Sequence, residues 1–258
     1  MELFDSHAHY NDEKFQEDRE KVLSQIYKSG VTKIVNAGYN LESSKQAIEI
    51  ANKHEFIYAT VGISPNDIED YKEEHLKEIE KLAQNKKVVA IGEIGLDYYW
   101  NKENKNLQKE VFISQIKIAN KLNLPIVIHT REAIYDTLEI LKNNSCNKKG
   151  VFHCCPFNVD LVREGLKLGF YISFAGPTTF KNSKNASEII NMVPLDKMLI
   201  ETDSPYLSPE PLRGKRNDSR NVIYIAQKIA EIKQISIEAV AKETYKNTEQ
   251  IFKLKNGG

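Results

Sequence analysis

Short apolar runs of β type alternate along the chain with stretches whose apolar residues recur every three or four positions. The runs are ELFDSHAH, KIVNAG, FIYATVGI, KVVAIGEIGL, LPIVIHT, GVFHCC, GFYISFAG and KMLIETDS, and runs of this length read as buried strands. Between the first two, Phe15, Arg19, Val22, Leu23, Ile26 and Tyr27 hold helical spacing, closed by Gly30 as a C-cap. Leu107, Val111, Ile118, Ala119 and Leu122 do the same before Pro125 opens the next strand. From about Ser219 to Leu254 the pattern predicts two helices, parted near Ser236, where Ser-Ile-Glu resembles an N-cap. Eight such alternations in 258 residues are what a single (β/α)8 TIM barrel requires. A doubly wound open sheet is the competing α/β architecture. It would open on a Gly-rich GxGxxG turn, which the chain lacks. No linker, low-complexity tract or charge block interrupts the alternation, so residues 1–258 are read as one domain.

In a barrel of this kind, reactive groups stand at the C-terminal ends of the strands. The unusual polar residues fall there: His7 and His9 on the first strand, Glu93 on the fourth, His129 on the fifth, His153 on the sixth and Asp203 on the eighth. Residues i and i+2 share a strand face, so His-x-His points both imidazoles to one side. Asp5, Glu201 and Arg131 fall on the inward parity of their own strands. A lone strand-end histidine is more often a hydrogen-bonded structural residue than a ligand. His54 and His75, in polar helical or loop settings, fit that description. Four histidines and two carboxylates converging on one mouth are different, because burying them as mere packing is costly. A divalent cation offsets that cost. Six donors exceed the three or four of a single catalytic zinc, so two ions are expected, with Glu93 offering one oxygen to each. Such a pair suits hydrolysis.

Composition sets bounds on this picture. A hydrophobic content of 41% with 28% charged residues reads as globular and water-soluble. No apolar run approaches the roughly 20 residues that cross a bilayer, and the N-terminus lacks a basic-then-apolar signal pattern, so a cytoplasmic protein without membrane contact is expected. Lys+Arg at 36 balances Asp+Glu at 36, which argues against a chain that coats polyanions but leaves room for a local basic patch. Cys146, Cys154 and Cys155 show no CxxC spacing and read as reduced structural thiols.

FDSHAH, GEIGLDYY, IHTR and above all ETDSPYLSPEPLRGKRN resemble the TatD family of metal-dependent deoxyribonucleases, within the wider amidohydrolase-like barrels. The resemblance runs from residue 4 to the C-terminus. It implies that His7 and His9 bind one ion with Asp203, that Glu93 bridges both ions, and that His129 and His153 bind the second. It further implies a hydrolase, typically a 3′-to-5′ exonuclease on DNA and sometimes RNA, dependent on Mg2+, Mn2+ or Zn2+. Many other amidohydrolases bridge their ions with a carboxylated lysine; no strand-end lysine is placed for that here, whereas Glu93 is. Nucleic acid is then the expected partner, with no obligate protein partner. Asp203 becomes the candidate to take a proton from the attacking water. Arg131 and the loop Arg213–Lys215–Arg216–Asn217 become candidates to hold phosphate, since guanidinium forks bind it bidentately. The alternative for that loop is an ordinary solvated surface. Tyr98 or Trp100 can stack on a base. Glu201 and Asp97 are read as structural, Asp97 as a residue that orders its loop.

Two stretches depart from the family's pattern. Where the family carries G-x-H-P-H after the third strand, this chain has Gly62-Ile63-Ser64-Pro65-Asn66. Ser64 and Asn66 can donate hydrogen bonds to a phosphate, but neither carries protons near neutral pH. After the sixth strand a small turn is replaced by Cys154-Cys155-Pro156-Phe157. There Cys155 shares parity with His153 yet reads as a packed thiol. Two rivals to phosphodiester hydrolysis follow: an ester or amide hydrolase on the same site, such as a D-aminoacyl-tRNA deacylase, and a non-catalytic metal-binding scaffold.

Overall fold

The computed structural model describes residues 1–254; residues 255–258, the end of the expected domain, lie outside the described residues. Eight strands follow one another in a single sheet in chain order, each parallel to the next. They are β1 (Leu3–Ala8), β2 (Val31–Ala37), β3 (Ile57–Val61), β4 (Val88–Asp97), β5 (Ile126–Arg131), β6 (Gly150–Phe152), β7 (Tyr171–Phe174) and β8 (Met198–Ile200). Helices alternate with them, giving the (β/α)8 arrangement predicted from the apolar pattern. β8 is short, and its continuation closes the barrel. Ala8 bridges Ser204, His9 N–H donates to the Ser204 carbonyl at 2.7 Å, and Asp203 N–H donates to the His7 carbonyl at 2.9 Å.

The helices begin and end where local chemistry directs. The first runs Arg19–Lys28, and Gly30 at φ +98° turns the chain into β2. Phe15, expected within that helix, sits buried in a 3-10 turn ahead of it. The helix Lys105–Leu122 stops at Asn123, whose left-handed φ of 58° precedes Pro125. The C-terminal pair, Val222–Lys233 and Ile237–Phe252, is parted at Ser236, whose Oγ accepts from Ala239 N–H at 3.2 Å.

Two apolar cores result. One lies between the strands and the surrounding helices. The other joins Phe4, Val35, Val89, Val127, Val151 and Leu199 with Ile251 and Phe252 of the last helix. Alternation then carries the same faces upward: two residues beyond Val127, Val151 and Leu199 stand His129, His153 and Glu201. The apolar floor therefore fixes which way the polar residues above it point. In β1 and β4 the register shifts between Asp5 and Ala8 and between Ile91 and Ile94. These irregularities lie where His7 and Glu93 leave the backbone, and such bulges re-aim side chains.

Candidate metal centre

Two clusters of lone pairs meet at Glu93. In the first, His7 Nε2 and His9 Nε2 lie 3.1 Å apart. Glu93 Oε2 is 3.4 Å from the former and 3.7 Å from the latter, and Asp203 Oδ1 is 3.7 Å and 3.2 Å from the same two nitrogens. In the second, Glu93 Oε1 is 3.2 Å from His129 Nδ1 and 3.5 Å from His153 Nε2, which are themselves 3.3 Å apart. A tetrahedral ion with arms of about 2.1 Å has ligand–ligand edges of roughly 3.4 Å. Both clusters have that spacing, and the two oxygens of one carboxylate divide between them. The six donors predicted from the sequence are thus brought together. His7, His9 and Glu93 form one ligand-competent group, Glu93, His129 and His153 another, and His7, His153 and Asp203 a third that overlaps both.

The far nitrogens of three imidazoles are tied to acceptors, which aims the remaining lone pair at the centre. His9 Nδ1 donates to the Ala37 carbonyl at 3.0 Å, His129 Nε2 to Asp97 Oδ2 at 2.9 Å, and His153 Nδ1 to Glu201 Oε1 at 3.3 Å. Opposed lone pairs at these distances repel unless a proton or a cation lies between them. The donor set, its spacing and these tethers fit a pair of divalent ions. His7 Nδ1 is buried with no hydrogen-bond partner among the described residues, and its ring stacks on His153 at 4.0 Å.

Electrostatics agree with the geometry. Burial alone raises the Glu93 carboxyl, but His153, His129 and His7 together outweigh it and hold it well below the carboxylate range. Burial lowers His153, yet Glu93 and Glu201 outweigh it and lift the imidazole well above its ordinary value. Burial likewise opposes the ionised form of Asp203, and His9 prevails, keeping it low. Beneath the centre, burial pushes Asp5 up to about 7. Its carboxyl accepts from Thr202 N–H at 2.9 Å and from the hydroxyls of Thr202 and Ser219, each at 2.5 Å. That net ties β1 to the segment following β8.

Sequence reasoning missed one part of this arrangement. Asp97 orders its loop as expected, with Oδ1 accepting from Tyr99 N–H and Trp100 N–H at 2.9 Å each, but its other oxygen orients His129. The signal lay in the parity of Glu93, Gly95 and Asp97 on one face of a strand that runs further than predicted. Glu201, read as structural, is the partner of His153 and also accepts from Cys154 N–H at 2.7 Å. Cys155 is buried, its Sγ turned to the Pro156 carbonyl, and burial pushes its thiol far up.

A cavity of 850 Å3 opens over the donors, bounded by Tyr39, Asp67, Trp100, Phe157, Pro177 and Tyr206 among others, a size suited to a small organic group. Arg131, Ser64 and Asn66 line it as well. Ser64 is almost fully enclosed, and its Oγ caps the following turn by accepting from Asn66 N–H at 3.3 Å. The basic loop stands apart from these residues: Arg213, Lys215 and Arg216 do not line this cavity. Arg216 grips Asp18 at 2.6 Å and the Lys14 carbonyl, and Arg213 lies over the Phe180 ring at 4.2 Å. Lys215 is exposed beside them. Asn217 is buried and donates to the Thr202 and Tyr206 carbonyls, bracing the segment that carries Asp203. Tyr98 requires a correction. Only 9% exposed, with its hydroxyl bound to Asp136 at 2.5 Å and Lys105 over its ring, it offers no face for stacking.

Comparison with known proteins agrees with the geometry. Residues 4–253 match the family model described as TatD related DNase. The chain is 44% identical to YabD of Bacillus subtilis (strain 168), named an uncharacterized metal-dependent hydrolase, over 98% of this chain and 99% of that one. It is 36% identical to YcfH of Escherichia coli (strain K12), named likewise, over 98% and 96%. Among solved structures, the TatD homologue YjjV of Escherichia coli superposes with a TM-score of 0.94 at 24% identity, covering 98% of both chains. A TatD family hydrolase of Entamoeba histolytica superposes at 0.88 and 25% identity, over 97% and 98%. A matching family model over nearly the whole chain, a barrel shared with those homologues and a mouth built to hold metal lead to one assignment: the chain belongs to the TatD family of metal-dependent hydrolases.

Proposed function

We propose that the protein hydrolyses phosphodiester bonds, releasing nucleotides from the 3′ end of DNA, with RNA as a lesser substrate. The observation that carries the reading is the division of Glu93, one oxygen toward His7 and His9 and the other toward His129 and His153. His7, His9, Asp203 and Glu93 would hold one divalent ion, and Glu93, His129 and His153 the other. When bound, Mg2+, Mn2+ or Zn2+ supplies an acidified water and neutralises the charge that builds on the phosphoryl oxygens.

The remaining steps belong to the chain. Asp203, whose carboxylate keeps 16% of its surface open, takes the proton from the attacking water. Glu93 stays ionised beneath it and keeps the two halves of the centre in register. Arg131, at the end of β5 and on the cavity wall, presents a guanidinium to a non-bridging phosphate oxygen. Asn66, which lines the same cavity, offers an amide donor. The free thiols of Cys146, Cys154 and Cys155 accord with work in the reducing cytoplasm.

A 3′-labelled single-stranded oligonucleotide, assayed with Mn2+ and then with EDTA, tests the reading. The expected result is nucleotide release that stops on chelation. Asp203→Asn is expected to lower kcat about 10²–10⁴-fold with an unchanged circular dichroism spectrum. Release that persists in EDTA, or fails with Mg2+, Mn2+ and Zn2+ alike, overturns the proposal. Deacylation of a charged tRNA without nucleotide release would put an ester hydrolase in its place.

A further inference from the structure

Beyond the metal donors, the rim of the cavity has two chemical characters. On the side of β4 and β5, the Arg131 guanidinium carbon lies 3.9 Å from the centre of the Tyr99 ring and 5.5 Å from that of Trp100. The two rings meet edge to face at 4.8 Å. Trp100 is 68% exposed and Tyr99 41%, so large apolar faces are left to water at the mouth of a cavity Trp100 itself lines. The loop is nonetheless anchored, because the Asp97 carboxylate accepts both backbone N–H groups. Among the described residues no carboxylate pairs with Arg131, whereas Arg163, Arg213, Arg216 and Arg220 each meet one. A guanidinium stacked on aromatic faces keeps its edge donors free for an anion.

The other side of the rim is acidic. A groove of 640 Å3 adjoins the cavity at Tyr39 and Tyr206, and its walls carry Asp12, Glu13, Glu42 and Glu49 against Arg19 and Lys53. A polyanion is repelled there and attracted to the uncompensated Arg131.

We infer that Trp100, Tyr99 and Arg131 form a base-stacking subsite for the nucleotide next to the scissile phosphate, and that the strand leaves the cavity over this rim and not over the acidic groove. Rings at a cavity mouth suit any base, because every base has a π-face, and Arg131 supplies the cation beside them. The inference rests on the nuclease reading above and adds to it the path of the substrate.

The chain holds a single tryptophan, so its fluorescence reports this subsite alone. The full chain with Mn2+ is titrated with a single-stranded oligothymidylate whose terminal linkage is a hydrolysis-resistant phosphorothioate. Stacking quenches the Trp100 emission, while an abasic oligonucleotide of equal length and charge leaves it unchanged. Trp100→Ala raises the Kd of a labelled oligonucleotide about 5–150-fold, Trp100→Phe by less, and Glu42→Gln or Glu49→Gln leaves it within about twofold of the starting value. Unchanged emission while the labelled oligonucleotide binds and is cleaved, or a Trp100→Ala Kd within twofold of the parent, overturns the subsite and leaves the nuclease reading standing. A protein that neither binds nor cleaves the oligonucleotide overturns both.

Discussion

His129 is held from two sides. Its Nδ1 faces Glu93 at 3.2 Å and its Nε2 donates to Asp97 at 2.9 Å, so one carboxylate shares the metal cluster while the other sets the ring's angle and tautomer. Partners of this kind are worth about 10–100-fold in metal affinity. Asp97→Asn is therefore expected to weaken metal binding by that factor in calorimetric titration, and to shift Trp100 emission as well, because the same carboxylate anchors that loop. A shift in emission with metal affinity unchanged would assign Asp97 to the loop alone. At this scale the sequence was informative about donors and poor about their partners. His7, His9, Glu93, His129, His153 and Asp203 could be picked out because their residue types are costly to bury at strand ends. Asp97 and Glu201 could not be assigned to particular imidazoles, since nothing along the chain states that Glu201 will meet a residue forty-eight positions away. The partners of the RGKR loop were equally hidden. Its cations looked free in the sequence, and folding supplied Asp18 and the Phe180 ring as their neighbours.

Among the elements, β4 carries the most constraint. It is buried throughout, and Gly95 adopts a φ of +143° where an added Cβ would stand 1.9 Å from the His129 carbonyl oxygen. No side chain fits unless β4 and β5 separate, which would move His129 relative to Glu93. Gly95→Ala is expected to destabilise the fold by about 3 kcal/mol, as strained or overpacked positions do, and to weaken metal binding together with stability. Urea denaturation and metal titration on the same preparation check this. A variant with both properties unchanged would show that the strands have slack the structure does not display. The eight strands themselves were legible from apolar runs, since a buried parallel strand needs a continuous apolar stretch. The register shifts in β1 and β4 were not. Parity counting assumes a regular pleat, and a bulge alters the count without any mark in composition.

The whole molecule gathers its centre from β1, β4 and β5 and from the turns after β6 and β8, and it closes through hydrogen bonds between the segments that carry His7, His9 and Asp203. Metal binding and barrel closure are therefore linked. A ligand held only by the folded state adds stability of about 2.7 kcal/mol at a hundred times its Kd, so EDTA is expected to lower the Tm of the loaded protein. The gain depends on pH in a fixed direction. Each imidazole must offer a lone pair, so protons compete with the cation. Because Glu93 and Glu201 lift His153 well above the ordinary imidazole value, protons begin to compete above that value, and the gain shrinks steadily as pH falls. Scanning calorimetry of loaded and chelated protein is expected to show a Tm gap that is wide at about pH 8 and narrows toward about pH 5. A gap independent of pH would mean that the ion is held by carboxylates without the histidines.

By itself the sequence determined the class of barrel, the order of its strands and the residues that stand as candidate donors. Those features are written in local periodicity and in the cost of burying polar groups, both of which a linear pattern records. The tertiary structure alone decided that Glu93 divides between two clusters, that Asp97 and Glu201 orient His129 and His153, that Arg131 rather than the RGKR loop faces the cavity, and that one rim is aromatic and cationic while the other is acidic. These are distances and pairings between residues far apart in the chain, and only closure of the barrel brings them within a few ångströms.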